Sequence, residues 1–330
     1  MDAMERMHHL IRSLPDQIQE ALAFPLPDPW DDPPSALVFT GMGGSAIAGA
    51  LVASLMPDAP VPVISYPTYG LPAFVDQRAW VFVTSYSGNT EEALASFQEA
   101  QQRGAHILAI SSNGQLEALA RQYGAAFVQI PAGLPPRAAL GYLFTPLYRF
   151  LQAAGYLQEE LAPLPDFLRR LQEELESEDS IARDLANKFY LRLPALYASH
   201  RFFPVAHRWN TQINENAKAL AHTAEFPEMN HNEITGLIHP KDLVEGVWAV
   251  FLHFPEDHPR IETRMKETAD LIAESVMGIS HLYPWGETTL EHLFSLLYLG
   301  DYVSLYLAQA YGQDPIAIPR IDELKRRLSR

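Results

Sequence analysis

The chain has 330 residues, 48% of them hydrophobic and 19% charged, which describes a soluble globular protein long enough for two domains, each with its own core. The absence of cysteine excludes disulfides, a thiolate nucleophile and any cysteine-based metal site. Twenty-four basic against 40 acidic residues, a formal charge of −16, argues against nucleic acid, whose affinity comes from Lys and Arg on phosphates. The same charge does not exclude a phosphorylated small molecule. Surface charge is screened over ~8 Å, whereas a phosphate in a loop responds to the amides and hydroxyls touching it. No apolar run reaches the ~18 residues that cross a bilayer. Met1–Arg6 also lacks the basic start and apolar stretch of a signal peptide. The expectation is a cytoplasmic protein with no membrane association.

Residues 3–23 form an amphipathic helical pattern with Met4, Met7, Leu10, Ile11 and Leu14 on one stripe, broken or kinked at Pro15. A proline-rich lead-in (Pro25, Pro27, Pro29, Pro33, Pro34) precedes strand 36–40. From there strands and helices alternate: helix 45–56, strand 61–65 and a short helix, strand 80–84, helix 90–103, strand 106–110, helix 115–123, strand 126–130, helix 138–152. This alternation predicts a doubly wound parallel sheet covered by helices on both faces. Residues 153–190 read as a polar, helical connection. A second, less regular α/β set follows, with strands at 195–198, 247–252 and around 277–279, helices at 206–220, 262–275 and 287–310, and a last helix from Ile321 to Leu328. The expected domains are therefore 1–152 and 191–330, joined by 153–190.

In such sheets ligands bind at the carboxyl ends of the strands. Two loops there carry chemistry: Gly41-Met42-Gly43-Gly44-Ser45-Ala46 after the first strand, and Ser85-Tyr86-Ser87-Gly88-Asn89-Thr90-Glu91-Glu92 after strand 80–84. Free N–H groups at a helix start, with Ser and Thr hydroxyls beside them, make an anion cradle. The first loop also fits G-x-G-x-x-A, but the ribose-binding acid expected about 20 residues on is missing: the second strand ends Val63-Ile64-Ser65-Tyr66-Pro67. A plain strand–helix turn would suffice for the first loop alone. Helix capping by Asn89 or Thr90 accounts for part of the second, yet capping needs one hydroxyl and this turn offers Ser85, Ser87 and Thr90.

The pairing GMGGSA with SYSGNTEE resembles sugar isomerase (SIS) domains, whose Ser/Thr-rich loop binds the phosphate of a phosphosugar. Further motifs narrow the resemblance: Asn214-Glu215-Asn216-Ala217-Lys218, Phe226-Pro227-Glu228-Met229-Asn230-His231-Asn232-Glu233-Ile234, Pro135-Pro136-Arg137-Ala138-Ala139-Leu140-Gly141-Tyr142, and Asp314-Pro315 with Ile321-Asp322-Glu323-Leu324-Lys325. Together, from about residue 36 to 330 and in order, they are similar to the bifunctional phosphoglucose/phosphomannose isomerases. The resemblance implies two SIS-type α/β domains. It also implies aldose–ketose isomerisation of glucose 6-phosphate and mannose 6-phosphate with fructose 6-phosphate through a cis-enediolate, with no cofactor and no metal. By the same resemblance Glu215 is the base, His231 opens the ring, Lys325 assists at the ring oxygen and Arg137 steadies the enediolate. Gly44, Ser45, Ser85, Ser87 and Thr90 hold the phosphate. The partner expected is a phosphorylated hexose, together with a second copy of the chain whose His231 reaches across the interface.

Each assignment has a plainer competitor. Glu215 and Lys218 at i,i+3 would make a weak surface pair, although the polar run Asn214-Glu215-Asn216 between apolar neighbours points part of itself inward. His231 alone reads as a loop histidine. Arg137 would start a helix where a cation is disfavoured, and Lys325 beside Arg326 and Arg327 reads as compensation of a helix dipole. The tail departs from the family in having Ile316-Ala317-Ile318 where a small polar residue is usual, which bears on mannose 6-phosphate. A binding protein that kept the loops and lost turnover is the alternative function. The Glu215, His231 and Arg137 set separates the two.

Overall fold

The alternation of short apolar runs and helical stretches produces two all-parallel sheets in two compact units. A computed structural model describes residues 1–328; positions 329 and 330 of the expected second domain lie outside the described residues. Ser13–Arg169 with Thr288–Leu290 forms one unit, and Met1–Arg12, Arg170–Glu287 and Glu291–Arg330 form the other. The expected N-terminal helix is two helices, α1 (Ala3–Arg12) and α2 (Leu14–Ala21), with Pro15 in the first turn of α2, where its missing N–H costs nothing. The unit boundary falls at this break.

The Ser13–Arg169 unit continues with β1 (Leu37–Thr40), α3 (Gly44–Ser54), β2 (Val63–Ser65), β3 (Trp80–Thr84), α4 (Glu91–Gln102), β4 (His106–Ser111), α5 (Gln115–Tyr123), β5 (Ala126–Gln129) and α6 (Leu140–Ala153). Its sheet runs β2-β1-β3-β4-β5. Strand β3 is buried along its whole length because both faces are covered. Val81 and Val83 pack with Phe97 of α4 and Leu116 of α5. Phe82 points the other way, stacked on Phe39 and edge-on to Phe150 of α6. Gly49 of α3 clears that face: a Cβ there would sit 2.6 Å from Phe39. The short helix expected after the second strand does not form. Pro67, Gly70 and Pro72 break the segment, and residues 66–79 run as turns.

The second unit follows with α7 (Leu164–Glu176), α8 (Ile181–Phe189), β6 (Leu193–Ser199), α9 (Phe203–Gln212), β7 (His222–Phe226), α10 (Glu233–Gly236), α11 (Lys241–Val244), β8 (Val247–Leu252), α12 (Pro259–Ile272), β9 (Gly278–Leu282), α13 (Thr289–Ala310) and α14 (Pro319–Leu328). Its sheet is β7-β6-β8-β9. One face packs Tyr197, Phe226 and Phe251 on Met265, Ala269 and Ile272 of α12. Strand β7 is absent from the sequence-based expectation. It is an edge strand, His-Thr-Ala-Glu-Phe, and half-exposed edge positions carry no apolar run to announce it. The helix expected over 206–220 ends earlier: α9 stops at Gln212 and Ile213–Ala217 wind as a wider π turn. Among the described residues no helix is long and apolar enough to cross a membrane.

Candidate active site

At the carboxyl end of β1 the chain must turn at once into α3, and glycines permit the route. Gly41 has φ +153, and a Cβ on it would meet the Thr84 carbonyl oxygen at 2.6 Å. Gly44 lies against the 136–137 backbone, 2.7 Å from its Cβ position to the Pro136 oxygen, so no side chain fits there. Buried Ser45 accepts a hydrogen bond from the Tyr86 N–H at 3.0 Å and so fastens this loop to the one after β3.

That second loop is organised by its hydroxyls. Ser85, fully buried, donates to the Thr90 hydroxyl at 2.9 Å. Ser87 is exposed and accepts from the Asn89 N–H at 3.3 Å. Gly88 takes φ +67 and approaches Asn113 so closely that a Cβ would fall 1.7 Å from its oxygen. Thr90 occupies the N-cap position of α4, as expected, but its side chain makes no capping hydrogen bond. Its hydroxyl is engaged with Ser85 instead. The first-turn amides of α4, where the helix dipole is positive, therefore lack the usual side-chain cap. A cap explanation alone for this loop fails, and an anion is what such a helix start accepts.

Arg137 lies in a 3-10 turn, Pro136–Ala138, rather than in α6 itself, and is only 3% exposed. A guanidinium merely starting a helix would turn to water; this one is buried beside the Gly44 contact. Two residues outside the expected site place it. Tyr86 donates to the Pro131 carbonyl at 2.9 Å and accepts from the Leu134 N–H at 2.8 Å, so one phenol holds the approach to Pro135. Burial raises the pKa of Tyr86, against the opposing Leu134 hydrogen bond. Gln17 donates to the Ala138 carbonyl at 2.7 Å and accepts from the Gly141 N–H at 3.1 Å. Gly44, Ser45, Ser85, Thr90 and Arg137 thus share one locus.

Glu215, His231 and Lys325 belong to the other unit. Glu215 sits, half-buried, in the π turn, a geometry common at functional sites. The inward member of the polar run is Asn216, fully buried and donating to Ser304 Oγ at 2.9 Å. Beneath the turn, Arg208 forks onto Asp301 at 3.0 and 2.7 Å, both side chains buried, and Gln212 adds a 2.8 Å bond to the same carboxylate. His231 is exposed on a 3-10 turn, Glu228–His231. Its neighbours are the ones held inward: Asn230 donates to Thr268 Oγ1 at 2.8 Å, and Glu233 accepts from the Tyr197 hydroxyl at 2.8 Å and pairs with His222 at 2.9 Å. Burial pushes Glu233 upward, but those two hydrogen bonds outweigh it and leave its pKa lowered. Lys325 is exposed on α14, while its neighbours Arg326 and Arg327 both pair with Glu323. Among the described residues no group of three or more His, Asp or Glu is arranged to hold a metal ion.

A family model described as the bacterial phospho-glucose isomerase C-terminal SIS domain matches residues 178–328. A bifunctional phosphoglucose/phosphomannose isomerase of Caldicellulosiruptor bescii is 42% identical over 302 residues, 89% of each chain. The chain belongs to the bifunctional phosphoglucose/phosphomannose isomerase family. Another member, from Aquifex aeolicus, is 35% identical over 310 residues, 91% of this chain and 94% of its own. The fold is shared with a solved glucose-6-phosphate isomerase like protein from Thermus thermophilus, with a TM-score of 0.61 at 21% identity and 99% coverage of both chains. The expected α/β fold with SIS-type parallel sheets and the family membership both stand.

Proposed function

We propose that this chain interconverts glucose 6-phosphate, and mannose 6-phosphate, with fructose 6-phosphate. The observation that carries the reading is the hydroxyl-and-amide cradle at the start of α4, uncapped by Thr90 and adjoined by a buried arginine, in a member of this family. The phosphate is held by the amides around Gly44 and the hydroxyls of Ser45, Ser85, Ser87 and Thr90. Moving a proton between C1 and C2 needs a base, a group to open the ring, and a cation for the developing oxyanion. In this reading Glu215 takes the proton from one carbon and returns it to the other. His231 delivers a proton for ring opening, Lys325 assists at the ring oxygen, and the Arg137 guanidinium, charged throughout, stabilises the enediolate. The exposure of His231 on a turn fixed from beneath supports its reaching the site of a second copy, so that the working form is a homodimer.

The test is direct. With EDTA present, purified protein converts fructose 6-phosphate to glucose 6-phosphate, and Glu215→Gln lowers kcat by about 10³-fold while 6-phosphogluconate still binds. Binding without turnover in the unmutated protein would favour a phosphosugar sensor. Activity surviving Glu215→Gln would remove Glu215 as the base. Mannose 6-phosphate run in parallel decides whether Ile316-Ala317-Ile318 narrows specificity at C2.

A further inference from the structure

Lys218 ends the Glu215 turn with φ +55, in the left-handed region where a helix end usually places glycine because a Cβ is crowded there. What the lysine gains is visible at its side chain. Nζ donates to the carbonyl oxygen of Glu215 at 2.8 Å, lies 3.5 Å from that of Asn216, and donates to the carbonyl of Asp314, 96 residues later. The first two carbonyls close the π turn, at the end where exposed oxygens gather negative charge. The third begins the C-terminal tail. The Asp314 carboxylate then accepts the N–H groups of Ile316 at 2.7 Å and Ala317 at 3.1 Å, a side-chain turn that hands the chain to α14. Helix α14 contributes no buried residue of its own. The segment before it is held by Tyr311, whose hydroxyl accepts the Leu191 N–H at 2.8 Å, by buried Pro315 and by the Lys218 bridge.

We propose that Lys218 is a positioning residue whose ammonium ties the C-terminal tail to the turn carrying Glu215, and so sets where α14 and Lys325 are held. The catalytic half of this inference rests on the proposed roles of Glu215 and Lys325; the tether itself does not. Simple compensation of a helix end requires neither the left-handed backbone nor the distant Asp314 carbonyl.

Two variants test it. Lys218→Gly relieves the backbone and deletes the ammonium, so a purely local cap predicts unchanged turnover at equal or higher Tm. The tether predicts the same Tm but hydrogen exchange of residues 311–328 faster by about tenfold. It also predicts kcat on fructose 6-phosphate lower by about 10- to 100-fold, with KM within about threefold. Lys218→Arg, which keeps a charged donor, restores part of both. Native exchange in the tail of Lys218→Gly overturns the tether, and faster exchange with native kcat overturns its catalytic consequence. If the unmutated chain does not turn over, the isomerase reading fails, and the exchange experiment still decides the tether.

Discussion

The carboxyl ends of the two sheets occupy equivalent topological positions and carry opposite chemistry. After β1 and β3 the loops are glycines and hydroxyls, with α4 left uncapped by its Thr90 side chain. After β6 and β8 stand Ser199-His200-Arg201 and His253-Phe254-Pro255-Glu256-Asp257-His258, with no glycine. Here polar side chains pair with each other rather than open to a ligand, Glu256 with His292 at 2.6 Å and His253 with Glu262 at 2.5 Å and His281 at 2.8 Å, while one oxygen each of Glu256 and Asp257 stays buried without a hydrogen bond. The His258 side chain accepts the Arg260 N–H at 3.1 Å and caps α12. Burial, with Glu256 and Glu262 adding to it, pushes the Asp257 carboxyl up to about 6 against the pull of Ser199 and Arg201. The fold supplies a crevice at each sheet; glycine, hydroxyl and an open helix start make the first receptive to an anion, and carboxylates make the second hostile to one.

Giving the first crevice the character of the second is the strongest way to break this contrast. Ser87→Asp, at an exposed position, sets a carboxylate against the substrate phosphate, and like charges in contact cost several kcal/mol. The expected loss in kcat/KM is about 10²- to 10³-fold, mostly in KM, at nearly native Tm; unchanged kinetics would remove Ser87 from the phosphate site.

The reverse change is milder. Folded Asp257 keeps its proton to about pH 6, whereas a free carboxyl releases it near 3.8. The folded state therefore binds more protons between those values, and stability falls as pH rises through them. Asp257→Asn should raise Tm at pH 7–8, give no gain at pH 4, and leave kcat alone. Thermal melts across that range check the sign.

The smallest effects sharpen the comparison most. An ordinary N-cap contributes about 1 kcal/mol. Because Thr90 makes no capping bond, Thr90→Ala loses no cap; it instead leaves the buried Ser85 hydroxyl without its acceptor, which should cost about 1 kcal/mol in urea unfolding while KM rises several-fold. His258→Ala should lose a similar amount, about 0.5–1 kcal/mol, through its cap on α12 but keep native kinetics, so the two variants part on KM.

Much of the fold is legible in the residues because buried parallel strands must be apolar on both faces: Trp80–Thr84 and Val247–Leu252 declare themselves. Strand β7 does not, since an edge strand is half polar, and the turns at 66–79 are hidden among apolar residues that read as helix. The cradle is readable as glycine and hydroxyl spacing. Its supports are not, because Gln17 and Tyr86 act through backbone groups about 120 and 45 residues away. The polar run at Glu215 shows that something turns inward; only packing shows that it is Asn216. Lys218 reads as one half of a surface pair until its left-handed backbone and the Asp314 carbonyl are seen.

The open start of α4 has a consequence for how the protein persists in a cell. If phosphate completes that helix end, the metabolite is a structural component of the native state, and stability becomes a function of its concentration. At ten times Kd the bound state gains about 1.4 kcal/mol over the empty one. The molecule would then be most durable when flux through its reaction is high, and most open to proteolysis when substrate runs out.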